Sequence, residues 1–412
     1  MDKWKRNLFI LYVGQFLAMA STSSITPFLP LYLQELGLTD PKKVLFWSGM
    51  IYGANLLTAF LFSPLWGRLA DKYGRKMMLV RSGLGMAVTI TLMGVATSPL
   101  QLLLLRLVNG VLSGFGPAAV ALTATNTPKE RSGYALGILH SGAVAGTICG
   151  PLLGGLLADH FGLREVFFYT GISIFAAALI VIFGVRETFE KKEKSAERTD
   201  MLQDFKLIVA RKPMASMFVS SAILRAAMIG TLPLIPLYVQ QLATGSDNVV
   251  VLAGITSAAM GIANMITAPH LGKLGDRIGS HRVFVYAVFG AIIFAVPQAF
   301  VHQLWQLIAL RFFTGACIGG MMPSMNVLVR QYAPAGMESR TYSYVNCAVL
   351  LGGLAGSLGM GAVASGFGLP MIFIMMAALL LISIIWMRVK VFPHIAQRED
   401  PAALAGGQEL IK

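Results

Sequence analysis

The side chains of this sequence that could do chemistry are few and unusually placed. Residues 67–76 read GRLADKYGRK: one acid, Asp71, among the cations Arg68, Lys72, Arg75 and Lys76, between two long apolar runs. A near-copy, GKLGDRIGSH with Asp276, returns at 272–281. A carboxylate in such a turn can accept hydrogen bonds from backbone N–H groups at a helix start, where the macrodipole favours an anion. Three arginines, Arg106, Arg225 and Arg311, lie inside apolar runs. A buried ionisable group is costly in a bilayer and marks a cavity, a partner or a pathway. All acids lie in loops or at run ends, and the titratable groups nearest the apolar interior are Glu35 and His140. The motifs HExxH, GxSxG and GxxxxGK[ST] do not occur. The sequence therefore does not read as an enzyme, and no metal or cofactor is implied. Cys149, Cys317 and Cys347 have no metal-ligand spacing and read as small packing residues.

The elements that must position these residues are membrane helices. Of 412 residues 56% are hydrophobic and 13% charged, too little charge to cover a soluble surface. Twelve apolar runs are long enough to cross about 30 Å of hydrocarbon, near 8–31, 47–66, 79–97, 100–124, 135–158, 166–185, 214–239, 249–271, 283–301, 303–326, 343–364 and 370–389. The first leads directly into another span and has no small-residue cleavage site, so it reads as retained. With a cytoplasmic N-terminus, the outer loops hold only the cations Lys42, Lys43 and Arg164, and nearly all others fall inside. This bias places both termini in the cytoplasm. It also accounts for the net charge of +14 without nucleic acid as a partner, since no basic soluble domain with interleaved aromatics is visible. The fold class is an all-α membrane protein of twelve transmembrane helices in two six-helix bundles.

The chain repeats itself at a shift of 205 or 206. PFLPLYLQEL (27–36) faces PLIPLYVQQL (233–242), and LQLLLLRLVNGVLSG (100–114) faces WQLIALRFFTGACIG (305–319), aligning Arg106 with Arg311. Asp71 aligns with Asp276. Each copy holds six spans, so the two share one membrane orientation, with a transport site expected between them near the midplane. The organisation is a bundle over 1–187, a charged cytoplasmic linker over 188–212 and a second bundle with a short tail over 213–412.

These residues resemble the major facilitator superfamily, and within it the twelve-span drug:proton antiporters of bacteria. The resemblance covers essentially the whole chain and rests on GRLADKYGRK, on RLVNG (106–110) in span four and on GTICGPLLGG (146–155) in span five. It implies export of small amphipathic compounds across the bacterial inner membrane in exchange for protons, by a protein expected to work as a monomer. It implies a latch in which Gly67, Asp71, Gly74 and Arg75 clasp the start of span eleven. Gly272, Asp276 and Gly279 form a weaker copy, with Ser280 where the first has Arg75. It raises Arg106 as a proton-coupling residue. Gly142, Gly146, Gly150 and Gly154 line one helix face, and with Pro151 and Gly155 they serve close packing, a hinge, or both.

The sequence departs from many proton-driven exporters in having no acid in mid-span. Glu35 remains a coupling candidate if it approaches Arg106 from the outer end, or else is an interfacial acid. His140 titrates in the right range, or else is a packing residue. Arg225, about 20 Å into its span, with Asn109 and Arg311, is a candidate lining of the substrate cavity. Such a cavity repels hydrophobic cations, which favours neutral, zwitterionic or anionic amphipathic substrates. An organic-anion uptake symporter and a lipid-precursor flippase are alternatives on the same fold.

Overall fold

Every apolar run of the sequence becomes a helix. The computed structural model describes residues 3–128, 131–187, 201–243, 248–334 and 337–399, without the side chains of residues 68, 71, 132, 133, 201, 202, 338, 339 and 396–399. The first part of the linker, 188–200, and the tail from 400 lie outside the described residues. No strand occurs among the described residues. Twelve helices are long and apolar enough to cross a membrane. Spans 1 to 6 are Lys3–Glu35, Pro41–Gly67, Arg75–Gly94, Pro99–Asn126, Tyr134–Phe161 and Leu163–Gly184. Spans 7 to 12 are Met214–Leu242, Val249–Ile278, Ser280–Phe300, Leu304–Tyr332, Arg340–Phe367 and Met371–Lys390. A linker helix, Met201–Ala210, separates the two sets of six. The helices overrun the apolar runs: that of span 2 continues to Tyr73, about 50 Å in all. Hydropathy marks the part in hydrocarbon, whereas helical hydrogen bonding continues through the charged ends.

The charged turn of the sequence is one of four similar joints. Gly74, Gly162, Gly279 and Gly368 have φ of 93°, 100°, 95° and 92°. Each N–H donates to the carbonyl four residues back, at 2.9–3.0 Å; the next span starts at once after the first three, and after a two-residue turn, at Met371, following Gly368. Only glycine adopts that φ without strain, so two antiparallel helices can meet with almost no loop. The joints recur at the repeat shift. They also recur within each half, 88 residues apart from Gly74 to Gly162 and 89 from Gly279 to Gly368.

Symmetry is broken elsewhere. Spans 1 and 7 both loosen into a 3-10 turn at a proline, Thr26–Phe28 and Leu232–Leu234. Span 4 is interrupted at Ser113 and Gly114, the latter at φ 127°, whereas span 10 runs unbroken. The freed carbonyls find side chains: Trp66 Nε1 donates to Val111 O at 2.6 Å, and Arg81 Nη2 to Ser113 O at 3.2 Å. Arg81 also stacks on the Trp66 ring at 3.5 Å. Arg81 lies within span 3, and the span 5 helix is continuous through Pro151.

The two sets of spans meet along a seam built twice over. A Cβ on Gly49 of span 2 would strike the Ser357 carbonyl and lie 3.3 Å from Gly361 Cα, both on span 11. Their partners by the repeat do the same: one on Gly254 of span 8 would meet the Pro151 carbonyl at 2.5 Å and Gly155 Cα at 3.7 Å. At the end of the seam away from the termini Gln34 and Gln240, 206 residues apart, exchange hydrogen bonds of 3.3 Å in both directions. All these contacts lie on the side away from the termini. On the same helix faces nearer the termini, Gly67, Gly137 and Gly272 have nothing within 4 Å of a Cβ, so there the spans part.

The glycine stripe of span 5 serves a different contact. A side chain at Gly142, Gly146, Gly150 or Gly154 would meet Tyr12, Phe16, Ala20 or Ser24 of span 1. Ser24 Oγ donates to Gly150 O at 2.8 Å, and Ser23 Oγ to Thr147 O at 2.9 Å. Leucine at 146 therefore must force spans 1 and 5 apart. Gly146→Leu is expected to abolish most of the folded yield in size-exclusion chromatography, whereas Gly67→Leu, facing open space, should preserve it.

Candidate functional site

The interior holds two guanidinium groups from opposite halves of the sequence with a phenol in their neighbourhood. Arg106 of span 4 is buried, and its Nε and Nη2 have no hydrogen-bond partner among the described residues. Arg225 of span 7 is half-buried and passes its Cγ 3.9 Å from a Cβ built on Gly353. Tyr52 of span 2 is a near neighbour of both arginines, and no ion pair to a carboxylate is made by either arginine among the described residues. Glycine sets this geometry, since Gly110, one turn from Arg106, packs directly on Asn55 and Thr58 of span 2. Two desolvated cations without an acid raise the local potential, and they are best satisfied by a ligand's acceptor or anionic atoms.

Asn109 does not line this space. It is 4% exposed, receives Asn55 Nδ2 at 3.0 Å and donates to Thr89 Oγ1 at 2.7 Å, tying spans 2, 3 and 4 together. Arg311 is 0% exposed, and all three guanidinium nitrogens are buried without a hydrogen-bond partner among the described residues. It is thus buried in the second half as its counterpart Arg106 is in the first, without a tyrosine at the position equivalent to Tyr52. The position equivalent to Tyr52 is Ser257, whose hydroxyl is likewise buried and unpartnered among the described residues.

Glu35 does not reach Arg106. It ends the last turn of span 1, is exposed, and has Arg164 and Glu165 as its charged neighbours. Both belong to the joint between spans 5 and 6, so an acid at a helix end meets the loop's own cation first. His140 is exposed on span 5. It lies three helical turns before Pro151 on the seam-facing side, at the end where the halves part. Tyr52 was missed by sequence reasoning, because an uncharged tyrosine in an apolar run carries no signal until its neighbours are known.

At the terminal face the GRLADKYGRK turn is fixed from an unexpected direction. Glu187, at the end of span 6, accepts hydrogen bonds from the backbone N–H groups of Arg75 and Lys76 at 3.0 and 2.8 Å. Lys76 Nζ returns the interaction, donating to the carbonyls of Ile182 and Val185 at 2.8 and 2.6 Å. An anion thus caps the start of span 3 and a cation caps the end of span 6, each complementing a helix dipole. The side chains of Arg68 and Asp71 lie outside the described residues. In the second copy Asp276 is exposed. The start of span 11 is held by the linker helix: Arg340 Nη1 donates to both Asp204 oxygens at 2.9 Å, and Phe205 packs on Tyr344 at 5.3 Å.

A family model described as Major Facilitator Superfamily matches residues 11–301 and 250–410. The chain belongs to the Major Facilitator Superfamily. It is 39% identical over 386 residues to the "Multidrug resistance protein MdtG" of Salmonella arizonae, covering 93% of this chain and 95% of that protein. Against the protein of the same name from Dickeya zeae it is 40% identical over 383 residues, covering 92% and 93%. Among solved structures it is similar to a bacterial homologue of the human lysosomal transporter Spinster in an inward-facing and occupied conformation. That match has a TM-score of 0.80 and 15% identity, covering 94% of this chain and 97% of that one. The nucleoside transporter NupG gives 0.77 at 14% identity, covering 92% and 98%. At such identities these two likenesses show the fold alone. As a facilitator-superfamily member with bacterial multidrug-resistance relatives, the chain is a membrane transporter and a multi-pass protein of the bacterial inner membrane.

The reciprocal caps between spans 3 and 6 act as one unit. Glu187→Gln should lower the thermal unfolding midpoint by a few degrees, from a loss of about 1.5–3 kcal/mol for charge-assisted hydrogen bonds. Lys76→Ala should do the same, and the double variant should cost less than the sum of the two.

Proposed function

We propose that this protein exports small amphipathic compounds in exchange for protons, by alternating access between its two six-span halves. The relatives named multidrug resistance proteins support export. The cation bias of the terminal face supports a cytoplasmic location for both termini, and on that reading the seam is closed on the outside and the cavity is open to the cytoplasm. This is the state in which an exporter loads its cargo. The observation that carries the substrate reading is the buried Arg106, whose guanidinium nitrogens Nε and Nη2 lack a hydrogen-bond partner among the described residues, with Arg225 and Tyr52 in its neighbourhood. This arrangement favours neutral, zwitterionic or anionic amphipathic molecules over hydrophobic cations. The two arginines stand in different halves, so a ligand bridging them is held by both and its release is tied to their separation.

His140 is the proton-carrying group in this reading. It faces the opened side of the seam, and an imidazole can both accept and donate a proton. Asp71 latches the terminal face when that face closes, and Asp276 adds a weaker counterpart. The same arginine pair also favours a second reading, uptake of an organic anion with protons.

Energised inside-out vesicles loaded with a pH-sensitive dye separate the two. Addition of an amphipathic zwitterion or anion should release protons from the vesicles if export is right; proton-driven uptake by whole cells with no such release sinks it. His140→Ala should remove the proton signal while passive substrate exchange continues. Arg225→Ala and Tyr52→Phe should raise KM for anionic substrates about tenfold, the loss of one charge-assisted hydrogen bond. Asp71→Asn should leave insertion intact and cut transport severely, and full activity in that variant would remove the latch from the mechanism.

A further inference from the structure

The outer face carries a second cavity, separate from Arg106 and Arg225. It encloses about 570 Å³, within the ordinary range of small-molecule sites. The ends of spans 1 and 7, the start of span 2 and the turn between spans 11 and 12 surround it. Lys42 and Leu45 come from the first half, and Leu237, Gln240, Ser365 and Leu369 from the second. Gln34 and Gln240, the residues that exchange hydrogen bonds across the seam, are both in its wall. Immediately below it is the tight seam contact, where a Cβ on Gly361 would lie 3.1 Å from the Leu45 carbonyl.

The lining defines a ligand. Most of the wall is aliphatic, and the polar groups are amides, one hydroxyl and Lys42, the one formal charge among the described lining residues. An apolar ring system bearing a single carboxylate or sulfonate matches this pattern, with the body against Leu45, Leu237 and Leu369 and the head at Lys42. The walls belong to opposite halves, so the cavity exists only while the outer seam is closed. A molecule bound there has affinity for that state alone and therefore holds it.

We propose that this cavity is an outer-face inhibitory site for amphipathic monoanions, which lock the transporter with its outer seam shut. The proposal rests on the alternating-access reading above for its effect on transport, whereas binding itself does not depend on it.

The test uses the full chain in nanodiscs, with Cys149, Cys317 and Cys347 replaced by serine and Ser365→Cys introduced as a reporter. Naphthalene-2-sulfonate is the probe. It should slow labelling of that cysteine by a charged thiol reagent in a saturable manner. Lys42→Arg should keep the protection, Lys42→Glu should weaken it by about fivefold or more, and 2-naphthol should protect poorly. Placing like charges across the seam, Gln34→Glu with Gln240→Glu, should weaken it further by opening the cavity. Unchanged labelling, or protection that Lys42→Glu does not alter, would overturn the site. Protection without inhibition of transport from the outer face would keep the ligand site and discard the lock. Because protection is read without a gradient, a failure of the proton-exchange reading leaves this result standing and distinguishable.

Discussion

Everything in this transporter depends on how closely its two halves can approach at the seam. Lipid offers no hydrophobic drive for helices to associate, so contact must come from packing at short range and from weak Cα–H donors to carbonyls. Gly49 and Gly361, with Gly254 and Gly155, remove the side chains that would hold the backbones apart. The contact is strong because it is close, and it is reversible because it contains little else. The Gln34–Gln240 pair adds neutral hydrogen bonds that water can replace on opening. A seam of buried ion pairs would be far harder to part, because each parting would expose unpaired charge.

The same economy explains why the rigid contacts are elsewhere. Spans 1 and 5 are joined by four glycines and two serine hydrogen bonds, spans 2, 3 and 4 by Asn55 and Asn109, and spans 3 and 6 by the reciprocal caps of Glu187 and Lys76. These contacts are within one half. The charged turn therefore has two tasks of different kinds. Its glycine joint and its Lys76 fasten spans within the first half, which explains conspicuous features without reference to motion. Only the acid at its centre is left for a moving contact.

The sequence made the helices and the repeat legible, because each rests on local chemistry: apolar length and motif spacing. It located Arg106 and Arg225 for the same reason, since a cation in an apolar run is conspicuous. What it could not show were residues whose meaning depends on a neighbour from another span. Tyr52 is one apolar-compatible residue among many until Arg106 and Arg225 are seen near it. Asn109 reads as a polar cavity group until Asn55 and Thr89 are seen to satisfy its amide. Glu35 reads either as a partner for Arg106 or as an interfacial acid until its neighbours are seen to be Arg164 and Glu165, distant in sequence.

Duplication built the scaffold, yet the site lies where the copies differ. The repeat places Ser257 opposite Tyr52 and Met19 opposite Arg225, so neither the phenol nor the second guanidinium has an equivalent. Arg106 and Arg311 are equivalent and both buried, but only the first has a tyrosine beside it. The seam itself stays symmetric at its closest contacts, Gly49 with Gly361 and Gly254 with Gly155. A symmetric site on that axis would hold a ligand equally by both halves, with no preference for how it is passed on. Departure from the repeat at two positions, Tyr52 and Arg225, leaves the seam symmetric while making the surroundings of Arg106 unlike those of Arg311, so any group bound there meets unequal contacts from the two halves.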